Sequence, residues 1–344
     1  MTDGTLNDDL RHQLAALLDQ AGIRAERGLI ARMLQTALML GTEHTDRLDL
    51  KIATAALSEM HDAFRLFQPF HRVPKVTVFG SARTLEQDPL YVQAREVAAQ
   101  LASDGWMVVT GAGPGIMRAA AEGAGSQMSL GVSIRLPFEE RANSIVEQDA
   151  HVVSMKYFFT RKLMLMKESR GFVCLPGGFG TMDEMFELLT LQQTGKAEPM
   201  PIVLLDEPGG SFWAGLKNFV DDHLVPAGVI SPHDLDRVLI TDSGEAAVAN
   251  ITSFWHNYDS LRWVGDRLVL RLVHEPTDAE IDELNDRFGS LCAEGRIERT
   301  EPLDVERSDG DAVELPRLVL NLEQRAVGSL YALIRAINEL PSAG

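Results

Sequence analysis

Pro176-Gly177-Gly178-Phe179-Gly180-Thr181-Met182-Asp183-Glu184 lies between an apolar run at 171–175, holding Val173, Cys174 and Leu175, and a helical pattern through Met185, Phe186, Leu188, Leu189 and Leu191. The order reads as strand, glycine turn, helix. Such a turn leaves free backbone N–H groups at the positive end of the helix dipole, where a phosphate sits without needing a basic side chain. Thr181 and Glu184 also have capping-box spacing, which by itself would explain the pair as a helix start. The glycines beside them favour a binding turn.

The same rhythm extends outward from this turn. Val76-Thr77-Val78-Phe79 predicts a strand ending in Gly80-Ser81, followed by a helix from about Pro89 to Ala102. Trp106 to Thr110 predicts the next strand, running into Gly111-Ala112-Gly113-Pro114-Gly115 and an Ala-rich helix. Further strands are expected from Leu130 to Leu136, from Val152, and at Ile202 to Leu205, with amphipathic segments between them. Short β-branched strands alternating with helices predict an α/β fold, a Rossmann-like doubly wound parallel sheet. Residues 1–73 read as a helical N-terminal extension, 74–258 as the Rossmann-like domain, and 259–344 as a small α+β extension with β-α-β-β-α order. The last segment carries fourteen acidic residues against four arginines from His274 to Leu315, the pattern of a solvated face.

Ligands of an open parallel sheet bind outside the carboxyl ends of its strands. That rule gathers Gly80-Ser81, Gly111 to Gly115 and Pro176 to Thr181 on one edge. A helix expected from Lys156 to Glu168 rises from the same edge and places Arg161 about 9 Å along its axis. Glu184, expected in the first turn of its helix, stands close to that rim. One carboxylate, one guanidinium and two glycine turns therefore converge. Gly111, Gly113 and Gly115 do not make the G-x-G-x-x-G of a dinucleotide fold, and no Gly-Lys-Ser/Thr ending marks a Walker loop.

Composition sets outer bounds. A net charge of −18 over 344 residues argues against a nucleic-acid binder. Cys174 and Cys292 cannot build a disulfide framework, and no metal-ligand spacing is present. The start, Met1-Thr2-Asp3-Gly4, is acidic, and no apolar run approaches the roughly 18 residues of a membrane span, so a cytoplasmic protein is expected.

Val78-Phe79-Gly80-Ser81-Ala82-Arg83, Gly111-Ala112-Gly113-Pro114-Gly115-Ile116-Met117, Arg161-Lys162 and the PGGFGTMDE stretch together resemble the Lonely Guy (LOG) family. Its members are phosphoribohydrolases of nucleoside 5′-monophosphates, and many were long labelled lysine decarboxylases. The resemblance covers residues 74 to 255. It implies hydrolysis of the N-glycosidic bond of AMP or an N6-modified, cytokinin-type AMP, with no cofactor. By the same resemblance Arg161 and Glu184 are catalytic, with Glu184 orienting water and steadying positive charge on the ribose. Gly177, the N–H groups of Gly178 and Gly180, and the Thr181 hydroxyl are expected at the phosphate. Ser81, Gly111, Gly113, Lys162 and Thr190 are expected substrate contacts, as are Glu139 and Asn143, which lie in a stretch similar to the longer bacterial members. Ala112 stands where many members carry glycine. The related enzymes are dimers, so a homodimer or larger homo-oligomer is expected, with the extensions serving assembly or regulation. The rival reading is a non-catalytic nucleotide or cofactor carrier, which needs the glycine turns but not the Arg161/Glu184 pair. A decarboxylase would need a Schiff-base lysine for pyridoxal phosphate, and nothing marks one.

Overall fold

The computed structural model describes residues 8–135, 151–231, 234–323 and 327–344. The chain divides into two units, residues 1–61 and 62–344, the division falling inside a helix. The first unit is helical, as its leucine spacing predicts: α1 (Asp8–Gln20), α2 (Arg27–Thr42) and most of α3 (Arg47–Phe67). Leu18 is buried, while Arg27 and Arg24 both reach Asp19 at the end of α1.

The second unit begins with the alternation expected of a wound sheet. In order it runs β1 (Lys75–Phe79), α4 (Pro89–Ser103), β2 (Met107–Thr110), α5 (Ile116–Ala124), β3 (Ser129–Ile134) and β4 (Val152–Met155). It continues through α6 (Phe158–Lys167), β5 (Phe172–Cys174), α7 (Phe179–Gln193), β6 (Ile202–Leu205), α8 (Phe212–Phe219), β7 (Val238–Thr241) and α9 (Gly244–Ser253). All seven strands are parallel, in the order β4-β3-β2-β1-β5-β6-β7.

Period-two alternation along β1 shows how both sheet faces are covered. Val76 and Val78 join Val108, Val173 and Val203 in a core closed by Ala94, Val97 and Leu101 of α4, Ile116, Ala119 and Ala120 of α5, and Ala247 and Ile251 of α9. Thr77 points the other way, and its hydroxyl donates to the Leu165 carbonyl of α6 at 3.0 Å. Right-handed crossovers put α6, α7 and α8 on that second face, while α9, after the last strand, returns to the first.

A second sheet follows, with β8 (Tyr258–Val264), β9 (Arg267–Leu272), α10 (Asp278–Phe288), β10 (Cys292–Arg299), α11 (Asp304–Asp309), β11 (Arg317–Leu322) and α12 (Val327–Asn338). Its strands are antiparallel in the order β10-β11-β9-β8, and its core packs Leu268, Leu270 and Leu318 against Leu284 of α10 and Leu333, Ile334 and Ile337 of α12.

The structure corrects the expected β-α-β-β-α order here. β8 pairs with β9 through a turn at Gly265, whose φ is +64°, and the short helix α11 intervenes before β11. β8 is an edge strand with one fully buried side chain at its start and part-exposed ones after it, so it lacks the apolar run that marked β9. β7, the other edge of the first sheet, is likewise absent from the expected strands.

Candidate active site at the carboxyl edge of the parallel sheet

The strand order reverses at β1 and β5. From β1 the chain winds outward through β2, β3 and β4, and from β5 it winds the opposite way. The carboxyl ends of these two neighbours therefore open a crevice. Backbone bonds tie its turns together: Ser81 N–H donates to the Pro176 carbonyl at 3.2 Å, and Ile116 N–H donates to the Ser81 carbonyl at 3.0 Å. Gly115 carries a φ of +66°, and a β-carbon there would stand 2.3 Å from the Ser81 oxygen. Only glycine meets both conditions. Ala112, two residues after β2, is also left-handed at φ +53° and carries that strain with a side chain.

At β5 the capping box that the Thr181/Glu184 spacing allows does not form. Gly178 is the residue before α7, no side chain caps its N–H groups, and Thr181 and Glu184 fall at the third and sixth helical positions. Glu184 thus stands in the second turn rather than the first, because the helix begins at Phe179. Gly178, Phe179 and Gly180 are exposed, and β-carbons at 178 and 180 would meet no atom within 4 Å. Gly177 is the tight position, where a β-carbon would stand 2.2 Å from the Thr181 hydroxyl oxygen. The result is an open, uncapped helix terminus of a kind that attracts anions.

Behind this terminus lies the acid–base pair. α6 starts two residues later than the sequence spacing implies, so Arg161 lies in its first turn. Its Nε donates to the Val132 carbonyl within β3 at 2.9 Å. The guanidinium lies over Gly111, where a β-carbon would stand 2.0 Å from Nη2. Nη1 is 4.0 Å from Glu184 Oε1, and the two side chains are 13% and 6% exposed. Glu184 Oε2 is buried, with no hydrogen-bond partner among the described residues. Burial pushes the Glu184 carboxyl up to about 7, against the pull of Lys162 and Arg161 and with a further push from Asp183 and Glu187. Burial also lowers the Arg161 pKa, and the neighbouring carboxylate offsets part of that. A carboxyl on the verge of ionising at neutral pH, with one oxygen unengaged, suits proton transfer to or from a bound molecule.

The other expected contacts sort unevenly. Ser81, Gly111, Gly113, Gly177, Gly178, Gly180 and Thr181 all belong to the three turns at this edge. Lys162 Nζ pairs with Asp183 at 2.8 Å and with Glu187, joining α6 to α7. Thr190 lies farther along α7. It is exposed, its hydroxyl donates to the Phe186 carbonyl at 2.8 Å, and six residues carry it about 9 Å past Glu184 along α7. Glu139 and Asn143 lie outside the described residues. Two neighbours had no distinct signal in the sequence: Met117, whose side chain approaches Gly111 and Gly113, and Phe179, 96% exposed between two glycines. Among the described residues no group of three or more His, Cys, Asp or Glu side chains is placed to hold a metal, and no helix is long and apolar enough to cross a membrane.

Fold and site together define a doubly wound α/β protein with a ligand crevice at its topological switch point. A family model described as "Possible lysine decarboxylase" matches residues 115–251. The chain is 30% identical over 177 residues to the cytokinin riboside 5′-monophosphate phosphoribohydrolase of Mycobacterium tuberculosis, covering 50% of this chain and 90% of that protein. It is 28% identical over 160 residues to the protein of the same name from Mycobacterium marinum, covering 45% and 81%. The chain belongs to the Lonely Guy family of phosphoribohydrolases. Among solved structures it is similar to the molybdenum cofactor binding protein of Rippkaea orientalis, at 22% identity and TM-score 0.38, covering 53% of this chain and 97% of that one.

Proposed function

We propose that this protein hydrolyses the N-glycosidic bond of purine nucleoside 5′-monophosphates, AMP or an N6-modified AMP, to free base and ribose 5-phosphate. The observation that carries the proposal is the buried, unpartnered oxygen of Glu184 beside Arg161, at the edge of an uncapped, glycine-lined helix terminus. The 5′-phosphate docks on the N–H groups of Gly178 and Gly180 and on the Thr181 hydroxyl, while Ser81, Gly111 and Gly113 border the ribose. As the C1′–N bond breaks, the ribose develops oxocarbenium character. The Glu184 carboxylate lies where it steadies that charge and takes a proton from the water whose oxygen bonds to C1′. The base leaves with the bonding pair and takes a proton at nitrogen from solvent, and Glu184 returns to solvent the proton it took from water. Arg161 keeps Glu184 oriented and partly ionised.

If the turn holds the phosphate, removing that group abolishes its contribution. AMP is expected to be cleaved at least about a hundredfold more efficiently than adenosine, since two or more charge-assisted hydrogen bonds are lost. Comparing kcat/KM for the two by free-adenine release checks this, and equal values would remove the turn from the site.

The active form of Glu184 is the carboxylate, so kcat/KM should rise with pH through about 7. Lys162 is the strongest of the cations that lower this carboxyl, and Lys162→Met should therefore move the rising limb to higher pH. A pH–rate profile reads the shift, and an unmoved limb would mean that Glu184 is not the titrating group.

We further propose that the active species is a homodimer or larger. Phe158, Phe159 and Leu163 of α6 and Phe179 and Phe186 of α7 expose apolar surface beside the crevice. Light scattering should give at least twice the 37.8 kDa chain mass.

A further inference from the structure

The amino edge of the parallel sheet, opposite the glycine turns, carries a cavity of about 450 Å³. Its walls come from the end of α3, the approach to β1, and the segment joining α6 to β5. In a chain of net charge −18, this cavity is lined by Lys75, Lys167, Arg170 and His71, with Glu168 the one acidic lining residue among those described. Lys75 is almost wholly buried, and its ammonium is spent on the carbonyls of Phe70 and Val73, with Glu168 at 4.0 Å. Glu168 also takes the Lys167 ammonium at 2.6 Å, so one carboxylate is shared by two lysines. Arg170 lies over the Trp255 ring at 4.8 Å and is exposed. The Phe64 ring, 47% exposed, also lines the cavity, with the Lys167 ammonium over it at 5.5 Å from its centroid.

We propose that this cavity is a second binding site, separate from the crevice, for a phosphorylated aromatic ligand of nucleotide size such as a nucleoside diphosphate, and that its occupancy alters turnover. Excess positive charge selects an anion, the Phe64 face takes a flat ring, and the volume falls within the usual range for small-molecule pockets. The placement supplies the link to the crevice. α6 carries Arg161 in its first turn and Lys167 at its end, about 9 Å apart. β1 runs from Lys75 to the Gly80-Ser81 turn, and β5 begins two residues after Arg170 and leads to Pro176. A ligand that draws Lys167 and Arg170 inward therefore acts on elements whose far ends hold Arg161, Ser81 and the phosphate turn. Two sites joined by shared rigid elements are the minimum for coupling.

Equilibrium dialysis of the full chain with ADP tests the site independently of any hydrolase activity. Lys167→Gln combined with Arg170→Gln should remove one bound ADP per chain, or weaken it by about tenfold or more. Phe64→Ser, which leaves every charge in place, should weaken the same ADP by about threefold or more. Both variants should keep basal AMP turnover within about twofold of wild type, and saturating ADP should change the turnover of wild type but not of the double variant. Unchanged ADP stoichiometry and affinity in the double variant would overturn the site. Unchanged affinity in Phe64→Ser would overturn the aromatic assignment, and ADP binding without any change in turnover would overturn the coupling.

Discussion

Glu184→Gln is expected to lower turnover by at least about a hundredfold, the range seen when a group aimed at transition-state charge is removed, while AMP still binds. Glutamine is nearly isosteric but cannot carry the negative charge or accept the proton of water. The same substitution should stabilise the fold at alkaline pH. The Glu184 carboxyl is raised from 4.5 to about 7 in the native state, chiefly by burial. Between these values the native protein holds a proton that the unfolded chain releases, so stability falls as pH rises through that window. The stability of the protonated form is fully present below 4.5 and is lost once pH exceeds about 7. Glutamine keeps the neutral form at every pH, and its gain should reach up to about 3 kcal/mol above pH 7 and vanish near pH 4.5. Melting curves at both ends of the window and kcat at pH 8 check the two halves. Wild-type turnover in the glutamine protein would return Glu184 to a structural role.

The second large effect concerns Arg161. Arg161→Ala removes the cation nearest the Glu184 carboxylate and should lower kcat/KM by about a hundredfold or more, with the acid limb displaced to higher pH. Gly111→Ala should do nearly the same without touching a charged group. Its new methyl would need the space of Arg161 Nη2, 2.0 Å away, and the guanidinium would have to leave its seat beneath Glu184. Gly215→Ala on α8, outside the crevice, is the matched control, because no described atom lies within 4 Å of its added carbon. Its effect should stay near the few tenths of a kcal/mol typical of an open surface position. Full activity in Gly111→Ala would break the link between this contact and catalysis, as would an active Arg161→Ala protein.

The wound sheet was legible because each strand at the crevice ends in glycines. Val76 to Phe79, Met107 to Thr110 and Phe172 to Cys174 are short apolar runs closed by Gly80, Gly111 and Gly177, and a turn of that kind announces itself in one dimension. Edge strands do not. β8 mixes Asp259, Ser260 and Arg262 with its apolar residues because it is covered only in part, so its pattern resembles a loop. The convergence of Arg161 and Glu184 followed from the rule for parallel sheets, whereas their exact depth did not. The helix start at Phe179 depends on the backbone of Gly178, and that moved Glu184 by a turn and dissolved the apparent capping box. Side-chain partners were the least legible part. The partners of Lys162 left no mark in the sequence: neighbours on a helix point about 100° apart, and its ammonium turns to Asp183 and Glu187. The partner of Thr190 was equally unmarked, since a helical threonine can satisfy its own hydroxyl on the preceding turn.

The most direct measurement is product identity. Purified full-length protein incubated with AMP at pH 8 should yield adenine and ribose 5-phosphate in equal amounts, with no inorganic phosphate and no adenosine. The Glu184→Gln protein, at the same concentration and still binding AMP, should yield neither product above about a hundredth of the wild-type rate. AMP bound but recovered intact by the wild-type protein, or adenosine and phosphate appearing in place of adenine, would contradict the assignment of Glu184 to N-glycosidic hydrolysis.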